Sequence, residues 1–240
     1  MTNDLLLQRA QELWAALAGV PVSFPRPGAA TVAVSPDAGT CPRGWVGVLT
    51  LGGAVLATAP DQRRAELVRA AMLVCPDAAR LPELLSVGRV LGPAALAYLA
   101  PDGLRPARPD LKVRDLARDH PAVQALTARV AAAERKEADL DEITSPAFVV
   151  ARGGRVLAAC GYRHWPCATA QFSVLTAPDH RGLGLAGAAA TAAARHALAA
   201  GLLPQWRARP TASRRVAARI GFRELGAQLS LEVPRPAAHG

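Results

Sequence analysis

The sequence predicts an α/β chain: a mixed, mostly antiparallel sheet flanked by helices, preceded by a smaller N-terminal α/β domain. Three observations carry this. The apolar segments Pro146–Ala151 and Val156–Tyr162 flank Arg152-Gly153-Gly154-Arg155, the pattern of a β-hairpin. A third apolar strand, Ala170–Thr176, leads through Ala177-Pro178-Asp179-His180 into the glycine-rich turn Arg181-Gly182-Leu183-Gly184-Leu185-Ala186-Gly187. That turn opens an alanine-rich helix over 186–200, for which Gly201 is a natural stop.

The remaining elements follow in order. Leu202–Ala208 is a short strand, Thr211 caps a helix through Arg219, and a last strand covers 223–233. Upstream, residues 111–140 are helical by period and content, and His164, Trp165 and Pro166 lie in a loop. In the first hundred residues Asp4–Leu17 is an amphipathic helix, and Thr31–Val34, Trp45–Leu51 and Ala54–Thr58 are strand candidates. Asp61–Leu73 and Leu81–Val87 look helical, and Gly92–Leu99 is a short helix candidate. The Pro- and Arg-rich stretch 101–109 marks a boundary. The expected organisation is therefore a domain over 1–105 and a second over 110–235. The first shows no motif; a degenerate repeat, a pocket lid and a homodimer surface all remain open for it.

Composition narrows the function classes. A hydrophobic fraction of 51% supports a real core, and no run approaches a membrane span. The N-terminus carries Asp4 and Glu12 and no basic start, so it reads as a helix and not as a secretory signal. Cys41, Cys75, Cys160 and Cys167 form no C-x-x-C pair, and Cys160, His164 and Cys167 lack a fourth ligand. No metal is expected, and free thiols fit a cytoplasmic protein. The formal net charge is +9. Its distribution says more: eight arginines and no acid between 180 and 223, against Glu134, Glu137, Asp139, Asp141 and Glu142 between 134 and 142. Such runs are either solvated faces or complements to a charged ligand. Aromatic residues make up only 4% and show no stacking pattern, which disfavours a nucleic-acid partner.

The turn at 181–187 carries the chemistry. The first amides of a helix have no intrahelical acceptor, and the helix dipole adds partial positive charge there. Glycines allow a phosphate to approach the main chain, and Arg181 adds a cation. A Walker loop would need Lys and Ser or Thr after its last glycine, and both are missing. Gly182, Gly184 and Gly187 satisfy G-x-G-x-x-G by count, but the acid that a dinucleotide site needs about 20 residues later is absent. R-x-x-G-x-A, at Arg181, Gly184 and Ala186, fits. With Pro204, Trp206, Ser213, Gly221 and Phe222 downstream, residues 110–233 resemble the GNAT superfamily of acetyl-CoA-dependent N-acetyltransferases, in the branch with an additional N-terminal domain.

The resemblance implies a GNAT fold and transfer of an acetyl group from acetyl-CoA to an amine, of a small molecule or a protein, within a ternary complex. It implies that the backbone of Val174 and Thr176 pairs with the pantetheine arm and that an amide near Leu175 polarises the thioester. Amides of Arg181, Gly182, Leu183, Gly184, Leu185, Ala186 and Gly187 would hold the pyrophosphate, with Ser213 and Arg214 at the nucleotide end. Glu142 is the first candidate for general base, with Asp141 and His164 behind it, and Tyr162 is a candidate acid. Two positions depart from the family pattern: Pro210 stands where Asn is usual, and Ala217 where the acidic Tyr is usual. These departures favour an alternative, a GNAT-fold acyl-CoA-binding sensor with weak or no catalysis.

Overall fold

The computed structural model describes residues 3–105 and 110–234. They fall into two compact units: Ala97–Glu224, and the chain up to Leu96 joined by the segment from Leu225 on. The cut differs from the 1–105 and 110–235 division, because the last strand goes with the N-terminal unit. Residues 106–109, in the expected boundary, lie outside the described residues.

The N-terminal unit begins with α1 (Asn3–Leu17), whose Leu6, Leu13 and Trp14 are fully buried. Strands β1 (Ala30–Val34), β2 (Val46–Leu51) and β3 (Ala54–Ala59) follow. Next come α2 (Gln62–Val74), the short α3 (Leu81–Leu84) and β4 (Val90–Tyr98). The Asp61 carboxylate caps α2 by accepting from the Arg64 amide at 2.9 Å. Gly92–Leu99, read as a helix, lies largely in β4. Helix preference separates Ala and Leu from strand-formers by only a few tenths of a kcal/mol per residue. Hydrogen bonding and packing in a sheet override that margin.

The C-terminal unit opens with β5 (Val113–Leu116), α4 (Pro121–Thr127) and α5 (Ala132–Ala138). The helical reading of 111–140 therefore holds only in part: Val113–Leu116 pairs antiparallel with β6 (Ala147–Arg152) as an edge strand. Then come β7 (Arg155–Trp165), β8 (Thr169–Thr176), α6 (Leu185–Ala199), β9 (Leu203–Ala208) and α7 (Thr211–Arg219). β10 (Arg223–Leu231) then passes into the N-terminal unit.

In the N-terminal unit the strand order is β1-β3-β2-β10-β4; in the C-terminal unit it is β9-β8-β7-β6-β5. The second order, with β5 to β8 antiparallel and β9 parallel to β8, is that of a GNAT fold. One face of that sheet packs on α6 and α7, with Phe148, Cys160, Tyr162, Phe172, Trp206 and a row of alanines of α6 buried between them. The alanines let the α6 backbone come close to the sheet. The opposite face packs Val149, Ala159 and Leu175 against Val123, Leu126 and Ile143.

Two local readings change. His164 and Trp165 lie in β7, whose ladder with β8 runs to Trp165↔Thr169, so the loop shrinks to 166–168. Thr211 is the first residue of α7 and not its cap; Pro210 is the cap and supplies no side-chain bond.

The glycine before Phe222 has a structural cause. Gly221 has φ +102°, and a Cβ there would overlap the carbonyl oxygen of Gly103. Gly221→Ala should therefore destabilise the protein by about 2–5 kcal/mol, combining strain and overpacking. Gly182→Ala, also at positive φ but with open space around its Cβ, should cost about 1–2 kcal/mol. Equal denaturation midpoints for the two variants would contradict this account.

Candidate active site

β8 and β9 are paired over only three residues, Thr169↔Leu203, Ala170↔Pro204 and Gln171↔Gln205. Beyond that point they separate, while β8 stays paired with β7 as far as Thr176. Strand edges left without a neighbour carry amides and carbonyls that need partners. The opening between them is part of a cleft of about 580 Å³. Its walls are Phe172, Val174, Leu175 and Thr176 of β8, and Trp206, Arg207 and Ala208 of β9.

One end of the cleft is the glycine turn. Gly182 has φ +77° and Gly184, the N-cap of α6, has φ +78°. L-residues pay strain at these angles, so glycine is demanded by the path of the chain as much as by a ligand. The path leaves the first α6 amides without intrahelical acceptors, and Gly184, Leu185, Ala186 and Gly187 line the cleft. Ala188 is the first residue whose amide turns back, to the Gly184 carbonyl at 3.2 Å.

Of the residues expected to hold the coenzyme, Val174, Leu175, Thr176, Arg181, Gly182, Gly184, Leu185, Ala186, Gly187 and Ser213 line the cleft. Leu183 and Arg214 do not. Leu183 is 53% exposed, and Arg214 forms a two-point ion pair with Glu224, with its Nη2 2.7 Å from a carboxylate oxygen.

None of the four candidates for acid–base chemistry, Glu142, Asp141, His164 and Tyr162, lines the cleft, and Asp141 is exposed. Glu142 is exposed and accepts from Arg163 at 3.2 Å. His164 Nδ1 is hydrogen-bonded to the Thr144 hydroxyl at 2.7 Å. Tyr162 is buried under α6, its hydroxyl 2.7 Å from His196 Nδ1, and burial raises its pKa. The alternation of β7 explains the last two. Tyr162 and His164 share a face, with their rings 5.3 Å apart, and Tyr162 on that face packs against α6. Among the described residues no group of three metal-binding side chains converges.

The structure brings to the site residues to which the sequence assigned no role there. Trp206 stacks on Phe172 and meets Phe222 edge-on, and its Nε1 donates to the Ser213 hydroxyl at 2.9 Å. Arg207 keeps surface in the cleft and lies over the Trp165 ring at 5.8 Å. Surrounding protein desolvates its guanidinium and lowers its pKa, while nearby Asp139 opposes the shift. Asp139 ends α5 in a left-handed conformation (φ 51°), and its carbonyl accepts from Ser173 at 3.1 Å. Burial first, and then Glu142, hold its carboxyl above the ordinary aspartate value; Arg163 and Arg207 act the other way. Three of the five acids in the run pair with arginines: Glu134 with Arg181, Glu137 with Arg209 and Glu142 with Arg163.

A split between parallel strands, ending at a glycine turn on a helix N-terminus, defines a site for an elongated ligand with an anionic end. Residues 145–227 match the family model described as GNAT acetyltransferase. No curated protein matches. Solved structures of similar form include an acetyltransferase from the GNAT family of Colwellia psychrerythraea (17% identity, 71% of this chain and 63% of that chain, TM-score 0.48). Another is a GCN5-related N-acetyltransferase-like protein from Streptococcus suis (16%, 97% and 100%, TM-score 0.47). A third is yncA of Salmonella typhimurium, with its cofactor acetyl-CoA (19%, 54% and 98%, TM-score 0.38). The chain spans less than two thirds of the Colwellia protein's length.

The bond between Trp206 and Ser213 is testable by itself. Trp206→Phe keeps the aromatic contacts and removes the donor, which should cost about 1 kcal/mol in urea unfolding. An unchanged midpoint would mean that the bond contributes nothing.

Proposed function

We propose that this protein transfers an acetyl group from acetyl-CoA to an amine by direct attack in a ternary complex. The observation that carries the reading is the cleft itself, where an unpaired strand edge ends at a glycine turn with free helix amides and Arg181. That donor set fits the coenzyme: strand edges for the amide-bearing arm, and helix amides with a cation for the pyrophosphate. Bound acetyl-CoA would supply an activated thioester, so that an N–C bond forms as the C–S bond breaks and the coenzyme leaves as the thiol.

The chain's own groups have four tasks. The β8 edge at Val174 and Thr176 orients the arm, and an amide near Leu175 faces the carbonyl oxygen. The turn from Arg181 to Gly187 holds the phosphates. An alkyl ammonium, with a pKa near ~10.4, must lose a proton before attack. Asp139 is the candidate for that role: it stands outside the cleft wall, as Glu142 does, but its carboxyl is held above the ordinary aspartate value and is within electrostatic reach of Arg207, which lines the cleft. The departing sulfur needs a proton or a donor. The Ser213 hydroxyl lines the cleft, and it accepts from Trp206, which leaves its own hydrogen available to donate.

A second reading rests on Ala217. It is buried where the family's Tyr is usual, so α7 presents no phenol to the cleft. A coenzyme-binding sensor would have this feature, and it would bind acetyl-CoA without releasing thiol.

Calorimetric titration with acetyl-CoA, followed by thiol release across a panel of amines, separates the two. Gly184→Glu adds strain and a negative charge at the anion site, and should weaken acetyl-CoA binding by roughly 100-fold or more. Wild-type affinity in that variant would remove the turn from the site. Asp139→Asn should lower kcat by roughly 10²-fold or more. In the wild type, kcat/KM should rise with pH through the raised Asp139 value, since only the carboxylate accepts a proton. An acid limb that survives in the variant would assign the base elsewhere.

A further inference from the structure

Arg209 lines the same cleft as Arg181, at the corner where β9 passes into α7. Each arginine is paired across the cleft with α5: Arg181 Nη2 is 2.7 Å from Glu134, and Arg209 makes a two-point contact with Glu137, its Nε 3.0 Å from a carboxylate oxygen. Glu134 and Glu137 are three residues apart on one helix, so both carboxylates face the cleft together, and both line it.

The helix that carries them is weakly held. α5 has seven residues and no buried side chain, and Ala131 gives it no side-chain cap. A helix of that length is unstable by itself in water. Its ties to the rest of the unit include the two ion pairs, the Ser173 bond to the Asp139 carbonyl and the packing of Ala138 against the core beside it. The glutamates thus neutralise the cations that a phosphate ligand would need, and those cations hold the helix in place.

We propose that Arg209 is a second phosphate-binding side chain, and that Glu134 and Glu137 mask Arg181 and Arg209 until a ligand bearing at least two phosphate groups displaces them. The proposal rests on the coenzyme reading for the identity of that ligand. Phosphate oxygens offer guanidinium the same two-point geometry as a carboxylate, with more negative charge. The exchange replaces each half-exposed pair with a stronger one and frees α5 of both ties. Binding is therefore weakened by the mask and coupled to movement of α5.

The test is calorimetry at fixed ionic strength with coenzyme A and, separately, with inorganic pyrophosphate. The proteins are the wild type, the Glu134→Gln/Glu137→Gln double variant, Arg209→Gln, and Arg209→Gln with Glu137→Gln. Removing both glutamates should tighten coenzyme A by roughly five- to tenfold, in line with half-exposed ion pairs. Arg209→Gln should weaken it by a similar factor, and Glu137→Gln should change nothing further once Arg209 is gone. Asp115→Asn, an exposed acid of β5 outside the cleft, should have no effect, so a general charge effect is distinguishable. In the wild type, hydrogen exchange of residues 132–139 should accelerate at least roughly threefold when coenzyme A is saturating.

Coenzyme A binding that is unchanged or weaker in the double variant overturns the mask while leaving the coenzyme reading intact. An equal gain from Glu137→Gln with and without Arg209 overturns the role of Arg209. Failure of every variant to bind coenzyme A, with pyrophosphate still tighter in the double variant, overturns the coenzyme reading and keeps the mask. Failure to bind either probe overturns both.

Discussion

Everything at the site depends on β8 and β9 ceasing to pair after Gln171↔Gln205. A continued parallel ladder would satisfy the backbone of both strands and leave no cleft. Instead β8 is held on one side by β7 along its full length, and its other edge is open from Phe172 on. The separation needs support from elsewhere, because an open edge in an apolar interior is expensive. Trp206, Phe172 and Phe222 form a contiguous aromatic group beneath it, anchored by the bond from Trp206 to Ser213. The glycine turn follows directly from the end of β8, so the strand edge and the helix amides bound one continuous opening.

Electrostatics follow from that geometry. In the sequence, the acids of 134–142 and the arginines of 180–223 are separate blocks. In the fold, α5 lies along the cleft wall, and the blocks meet as Glu134 with Arg181 and Glu137 with Arg209. Each of these side chains is about a third to a half exposed, so water screens the pairs and their strength is modest. Modest pairs suit a site that must exchange partners. A fully buried pair would be too costly to break, and an unpaired cluster of cations would repel itself.

The geometry of the glycine-turn end of the cleft is legible in the sequence because it is made mainly from backbone. Glycines at 182 and 184, a strand before them and an alanine helix after them determine where amides point, and those features are local in sequence. The acid–base end was not, since it depends on which way single side chains face across long separations. Glu142 stands just before β6 in the sequence, but in the fold it pairs with Arg163, 21 residues away. His164, expected in a loop, is a strand residue because the β7–β8 ladder runs to Trp165, and Tyr162, at the expected end of the strand, faces α6. Asp139 stood in plain view within the acid run. Only its left-handed position at the end of α5 and its proximity to Arg207 distinguish it. Gly92–Leu99 failed for a related reason: alanine and leucine suggest a helix, and pairing in the sheet decides otherwise.

The loss of the usual Tyr can be weighed on the same terms. Ala217 is buried against the core beneath α7, so a phenol at that position would have to displace packed side chains before reaching the cleft. Ser213, one turn earlier on the helix, is already half-buried in the cleft wall and already oriented by Trp206. A hydroxyl is a much weaker acid than a phenol, yet a fixed donor can stabilise a developing thiolate without giving up its proton, leaving water to complete the transfer. In the proposed transfer, positioning the two reactants would supply a large share of the rate, and proton donation to a good leaving group a smaller one. Ala at 217 therefore limits what α7 could contribute to the proposed transfer and leaves the β8–β9 cleft and the glycine turn in place.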